Sequence, residues 1–214
     1  MLFRSRMQIL LGLSQTLGLD SGHVSFNGQI GGKQVAPEAV RRRAFVDQAR
    51  EHSATPQEFL AFEALSNQIP LKNHSLDHDT AYNHSWLSVI VETYSSDNII
   101  SFSEKIFRCL VTPVPWIAYA GRYSIAKLQQ LGFDVMPDLI NHNYDPVLEA
   151  QNKMSCFVVC AQENIARLQS LPWAQVKSRC EVAAFHNQTL LSELARIWTI
   201  NRSLWLQNLS RDIR

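Results

Sequence analysis

Ile100-Ser101-Phe102-Ser103-Glu104-Lys105-Ile106-Phe107-Arg108-Cys109-Leu110 is the stretch on which the reading of the fold turns. Ser103 is a good N-cap, and Ile106, Phe107, Leu110 and Val111 recur at helical spacing, so a short helix with one buried face is predicted over 103–112. Pro113 and Pro115 end it. On either side lies an apolar run rich in strand formers, 86–92 before it and 116–120 after it. A helix between two such runs is the connection that parallel strands require, so the two strands are expected to be parallel neighbours.

The charges on this helix carry the functional question. Lys105 lies in the first turn and Arg108 one turn on, near the end where the helix dipole favours anions. Either the two cations are incidental charges on a solvated face, or a phosphate sits against the helix N-terminus between them. Glu92 ends the first strand, at the edge where open α/β sheets bind ligands. It reads equally as an acceptor for a ligand hydroxyl and as a strand-end carboxylate in water. Gly121 closes the second strand and permits close backbone approach. Arg122 follows it, and Ser124 is placed to cap the next helix.

These residues resemble the donor-binding half of glycosyltransferases of the GT-B fold. Ser103-Glu104-Lys105 is similar to the Ser/Thr-Glu-Lys motif of α1,3-fucosyltransferases. A closer likeness is to uncharacterised, often phage-encoded glycosyltransferase-like proteins. Its elements here are Glu92-Thr93, Ser103-Glu104-Lys105, Pro115-Trp116-Ile117, Leu131-Gly132-Phe133 and Tyr144-Asp145, so it spans about residues 86–146. It implies a Rossmann-like α/β half of a GT-B fold with a small, mainly parallel sheet and long C-terminal helices. It also implies that a nucleotide-sugar is bound as donor substrate, with no cofactor and no metal. Glu104 would contact ribose or sugar hydroxyls and Lys105 the diphosphate. Arg108 is a second phosphate contact on helix geometry alone. The donor-binding set is Glu92, Ser103, Glu104, Lys105, Arg108, Gly121 and Arg122. No catalytic residue is named, because in such enzymes the base usually comes from the N-terminal half.

Length and charge agree with one domain over 1–214. The chain's 214 residues suffice for a full core and are short for two domains. Twenty basic residues against nineteen acidic ones give a net charge of +1, so no global field attracts nucleic acid or a membrane. No apolar run reaches the roughly 18 residues of a membrane-spanning helix, and 1–19 lacks a small-residue cleavage site. A cytoplasmic protein is expected, in the host cytoplasm if phage-encoded. Cys109, Cys156, Cys160 and Cys180 are too few and too irregular for a disulfide framework and read as thiols.

Elsewhere an amphipathic helix is predicted over 3–18, a short strand over 23–26 and a glycine-containing linker over about 27–37. Helices are predicted over about 37–50 and from Thr55-Pro56-Gln57-Glu58 onward. Arg41, Arg42 and Arg43 point about 100° apart on a helix and are offset by neighbouring acids, so they form no patch by themselves. His74, Asp77, His78, Asp79 and His84 fall in a polar stretch with Pro70 and several asparagines, and read as a connection rather than a metal site. A returning strand is predicted over 133–135, a further helical turn over 136–140, and long helices over about 145–168 and 173–209. Leu190, Leu194, Ile197, Trp198 and Trp205 form a stripe on the last, a core or partner-facing surface. A homo-oligomer, or a partner supplying an acceptor domain, is therefore expected. Two rival readings are a non-catalytic binding or assembly protein retaining the fold, and a restriction-type nuclease. The nuclease is disfavoured because Glu104 and Lys105 are adjacent at a helix start rather than alternating on a strand.

Overall fold

The computed structural model describes residues 2–17, 46–47, 50–51, 53, 55–68, 85–92, 100–148 and 150–212; over 2–7, 16–17, 65–68, 150–151 and 200–212 only the backbone is described. The expected strand at 23–26, the linker at 27–37, most of the helix at 37–50 and the histidine-containing stretch at 74–84 lie outside these residues.

Besides helical residues at 46–47 and 50–51, the described chain runs through α1 (Leu2–Leu17), α2 (Pro56–Gln68), β1 (Ser88–Val91), α3 (Glu104–Val111), β2 (Trp116–Tyr119), α4 (Ser124–Gln130), α5 (Ala150–Gln169) and α6 (Trp173–Asp212). The chain is mostly helical around a two-stranded parallel sheet, as the β1–α3–β2 reading required. Ser88 pairs with Trp116 and Val91 with Tyr119. All four residues of β2 are buried, whereas β1 buries only Ile90 fully. β2 is thus covered on both faces and β1 is the more open strand.

Helix α3 turns Ile106, Cys109 and Leu110 to the core. The opposite arc carries Glu104, Lys105 and Arg108, of which Glu104 and Arg108 are exposed. Ser103 caps it in extended conformation (φ −95°, ψ 175°), its hydroxyl accepting from the Lys105 N–H at 3.2 Å. In α2, Thr55 plays the same part through the Glu58 N–H at 3.1 Å. α1 packs closely on α5 at Gly12, where a Cβ would stand 3.0 Å from a Val158 methyl. α1 also meets α2 through Gln8, whose amide donates to the Glu58 carboxylate at 2.7 Å.

The segment between α4 and α5 departs from the periodicity reading. Residues 133–135 form no strand: the Phe133 N–H goes to the Leu128 carbonyl, and the backbone of Asp134 pairs with a side chain. Asn187 of α6 accepts from the Asp134 N–H at 2.8 Å and donates to the Asp134 carbonyl at 2.9 Å. Residues 136–140 make a hydrogen-bonded turn entered from left-handed Met136 (φ 56°) rather than a helix. The helix expected from 145 begins at Ala150, since Tyr144 and Asp145 are buried and bonded elsewhere. Asn164 of α5 treats Asn141 as Asn187 treats Asp134, accepting from its N–H at 2.7 Å and donating to its carbonyl at 2.9 Å. Two buried amides on two helices therefore satisfy the backbone of one irregular segment. Arg179 adds ion pairs to Asp134 and Asp138 at 2.8 and 2.7 Å. Burial opposes the charge of Asp134, but the Arg179 and Met136 hydrogen bonds outweigh it and hold the carboxyl below its ordinary value. Asp138 is held low by Arg179 as well.

Candidate functional site at the carboxyl edge of the parallel strands

β1 and β2 end side by side, and the residues that follow them form the edge on which the candidate donor site was placed. Glu92 continues the ladder by donating its N–H to the Tyr119 carbonyl at 2.9 Å. Its side chain is buried, and its Oε1 accepts from the Ser103 N–H at 3.0 Å. Of the two readings of Glu92, the carboxylate in water is therefore wrong, and its hydrogen bond goes to the chain. A buried carboxylate at a helix N-cap is stabilised by the N–H groups and dipole there, so Glu92 pins the start of α3 to the end of β1.

Glu104, Lys105 and Arg108 share one arc of α3 and are brought together, as the spacing predicted. Lys105 is half-buried. Lys105 adds to the positive end of the helix dipole, whereas Arg108, expected near that end, lies in the last turn of this eight-residue helix and gains nothing from it; Glu104 in the first turn supplies a hydrogen-bond acceptor.

The second half of the edge is closed by the chain. Gly121 is buried, and its carbonyl accepts from the Ser124 N–H at 3.3 Å. Arg122 donates its Nε to the Pro146 carbonyl and an Nη to the Tyr123 hydroxyl, both at 2.8 Å, with its guanidinium 4.4 Å from the Tyr123 ring. Tyr123 is left-handed (φ 62°) and its N–H reaches the Asp145 carbonyl at 3.2 Å. Ser124 was expected to cap α4 and does not. Asp145 does so from twenty residues away, its two carboxylate oxygens accepting from the Ile125 and Ala126 N–H groups at 3.1 Å each. The Ser124 hydroxyl is buried without a hydrogen-bond partner.

Lys153 belongs to this edge and was missed. It is buried on α5, donates to the Ala120 carbonyl at 2.8 Å and lies 5.9 Å from the centre of the Tyr119 ring. A signal existed: Lys153 is in phase with Phe157, Cys160, Asn164 and Leu168, the buried stripe of α5. A lysine at a core position of a helix demands an acceptor, and the end of β2 supplies it.

A hydrogen-bond chain supports the edge from below. The Tyr144 hydroxyl accepts from the Ala118 N–H at 3.1 Å and contacts His142 Nδ1 at 3.0 Å, while His142 Nε2 contacts the Val135 carbonyl at 3.0 Å. One assignment satisfies every member: tyrosine donates to Nδ1 and Nε2–H donates to the carbonyl, so the imidazole is neutral. Burial pushes the His142 pKa below its ordinary value and the Tyr144 pKa well above its own. Cys160 and Cys180 are pushed up to about 12 by burial and are unreactive thiols at neutral pH.

Among the described residues no cluster of three metal-ligating side chains exists, and no helix is long and apolar enough to cross a membrane. Two shallow grooves lie on α6, around Phe185, Thr189 and Glu193, away from the residues of the strand edge. Their lining mixes Phe185 with polar residues of the same helix, among them Thr189 and Glu193, and includes none of the candidate donor-binding residues. No protein-family model matches the chain, and neither a curated protein nor a solved structure matches it.

Proposed function

We propose that the chain binds a nucleotide-sugar through the polar arc of α3 and serves as the donor half of a glycosyltransferase of the GT-B kind. The observation that carries this reading is the β1–α3–β2 unit, in which Ser103-Glu104-Lys105 opens the helix at the carboxyl end of a parallel strand. There Lys105 and Arg108 meet the diphosphate, and Glu104 accepts from ribose or sugar hydroxyls. Glu92, Ser103, Gly121 and Arg122 shape the edge instead of touching the donor, since each is engaged within the chain. The acceptor half, with the catalytic base, comes from a partner. A second reading, an assembly protein that keeps the fold without catalysis, is favoured by the apolar surface left open on α6.

Calorimetry against UDP-, GDP-, ADP- and CMP-sugars tests the donor reading. Lys105→Ala removes a charge-assisted contact worth about 1.5–3 kcal/mol, so binding of the best donor should weaken roughly 10- to 100-fold. The melting temperature is read alongside, so that a loss of affinity is separated from any loss of fold. Unchanged affinity in Lys105→Ala, or no binding of any nucleotide-sugar at millimolar concentration, would leave the assembly reading.

A further inference from the structure

Among the described residues two that are not glycine are left-handed, Met136 (φ 56°) and Tyr123 (φ 62°). The conformation is costly for a bulky side chain. Met136 is 2% exposed, so burial in the core offsets that cost. Tyr123 is 46% exposed, and burial does not account for it. Its ring is nevertheless held in place. The Arg122 guanidinium lies over the ring, 4.4 Å from its centre, and donates to the hydroxyl at 2.8 Å, while the Arg122 Nε is tied to the Pro146 carbonyl. The backbone is held on both sides as well, the Tyr123 N–H by the Asp145 carbonyl and the Tyr123 carbonyl by the Lys127 N–H at 2.8 Å. With the guanidinium on one face, the exposed area of the ring falls on the other face and the rim. The result is a braced aromatic plane, kept in a strained conformation at the edge of the sheet.

We propose that Tyr123 is the stacking platform for the base of a nucleotide whose diphosphate meets the polar arc of α3, with Arg122 as the brace behind the ring. The proposal rests on the donor reading and adds the residue that grips the base. The placement follows from the parallel pair. Tyr123 lies four residues beyond Tyr119, whose carbonyl accepts the Glu92 N–H, and the Glu92 carboxylate in turn holds the Ser103 N–H at the start of α3. Tyr123 and Lys105 therefore follow the ends of adjacent strands that point the same way. The chemistry divides between the two junctions. At α4 the Asp145 carboxylate already takes the first N–H groups of the helix, so a phosphate is repelled there and an uncharged planar ring is not. A ring fixed in advance loses little freedom when a base settles on it, and stacking accepts any base because each has a π-face. Arg122 is engaged with Pro146 and Tyr123, so it positions the ring rather than touching the ligand.

Calorimetry of the full chain with UDP, GDP and ADP, and with inorganic pyrophosphate as a probe that has no base, tests the assignment. Tyr123→Ala should weaken the best nucleoside diphosphate by roughly 5- to 100-fold and leave pyrophosphate as in the parent. Tyr123→Phe keeps the ring and loses the hydroxyl bonded to Arg122, so its affinity should stay near the parent's. Tyr123→Gly relieves the left-handed strain and should lose affinity like Tyr123→Ala while melting no lower than it, which separates binding from folding. Lys105→Ala should weaken both probes. Parent-like affinity in Tyr123→Ala, with Lys105→Ala still weakened, would overturn the platform and leave the donor reading standing. An equal loss in Tyr123→Phe would overturn it too, since the hydroxyl and not the ring would then be the determinant. A loss confined to nucleotide-sugars and absent for the nucleoside diphosphates would put the sugar on the ring and overturn it likewise. If the parent binds no nucleoside diphosphate at millimolar concentration, the platform falls together with the donor reading.

Discussion

Two helices begin at the carboxyl edge of the sheet, and their first turns are closed in different ways. α3 is closed locally: Ser103 caps it, and Glu92, the residue after β1, holds the Ser103 N–H. α4 is closed from a distance, since Asp145 supplies both oxygens to the Ile125 and Ala126 N–H groups while Tyr123 bends through a left-handed conformation to reach it. At α4 an anion of the chain itself already fills the position a ligand anion would take. At α3 the buried Glu92 carboxylate holds the helix start from below, and Glu104, Lys105 and Arg108 lie on the arc away from the core residues. Anion recognition is therefore expected at one of two topologically equivalent junctions, and the difference comes from what the residues 131–148 bring back to the edge.

The sharpest way to break this comparison is to remove the distant cap. Asp145→Ala deletes two charge-assisted hydrogen bonds at a buried site and should cost about 3 kcal/mol. For a chain of this length that lowers the melting temperature by roughly 6–12 °C. Asp145→Asn keeps one acceptor oxygen and should recover about half. If Asp145→Ala shifted calorimetric stability by less than about 1 kcal/mol, the closure of α4 would rest on something other than this carboxylate.

The next effect in size concerns how residues 131–148 are docked at all. His142 is buried and neutral between Tyr144 and the Val135 carbonyl. Its pKa is lowered by burial in the folded state, so between that depressed value and the ordinary value near 6.5 the unfolded chain binds more protons. Stability from this group is fully present above about pH 6.5 and falls as pH drops through the window below it. Urea midpoints at pH 7 and 5.5 should therefore differ in the parent more than in His142→Gln. Asp134 and Asp138, held low by Arg179, lose their contribution only at more acidic pH, near the ordinary carboxylate range and below. Equal pH dependence in parent and variant would mean that the imidazole is not what docks this segment.

How much of this was legible in the sequence follows the same division. The parallel β1–α3–β2 unit and the Ser103 cap were readable because their determinants are local: apolar runs rich in strand formers, a capping serine at the right offset and prolines after the end. The length of α6 was readable for the same reason. What failed was decided at long range. Nothing near Ser124 announces that Asp145 will cap α4, and nothing within 133–135 announces that Asn187 will take its backbone bonds in place of a strand partner. Glu92 was located correctly, and its role depended on a helix eleven residues later. Lys153 was visible as a lysine in phase with a buried stripe, a signal that periodicity read only for apolar residues passes over.

The smallest expected effect separates local from distant closure by its sign. Local spacing makes Ser124 the cap of α4, and a capping serine replaced by alanine costs about 1 kcal/mol. In the structure Ser124 is already inside the helix, its N–H bonded to the Gly121 carbonyl and its hydroxyl buried without a partner. A buried hydroxyl without a hydrogen bond is a cost to the folded state, on the order of 1 kcal/mol or more, and alanine removes it while leaving the backbone bonds intact. Alanine also has the higher helix propensity. Ser124→Ala should therefore leave stability unchanged or raise it by up to about 1 kcal/mol, read as an equal or higher urea midpoint with the same slope. The double variant with Asp145→Ala extends the test. If Asp145 alone closes α4, the two effects should add within about 0.5 kcal/mol. If the serine takes over the cap once the carboxylate is gone, Ser124→Ala would turn destabilising in the Asp145→Ala background.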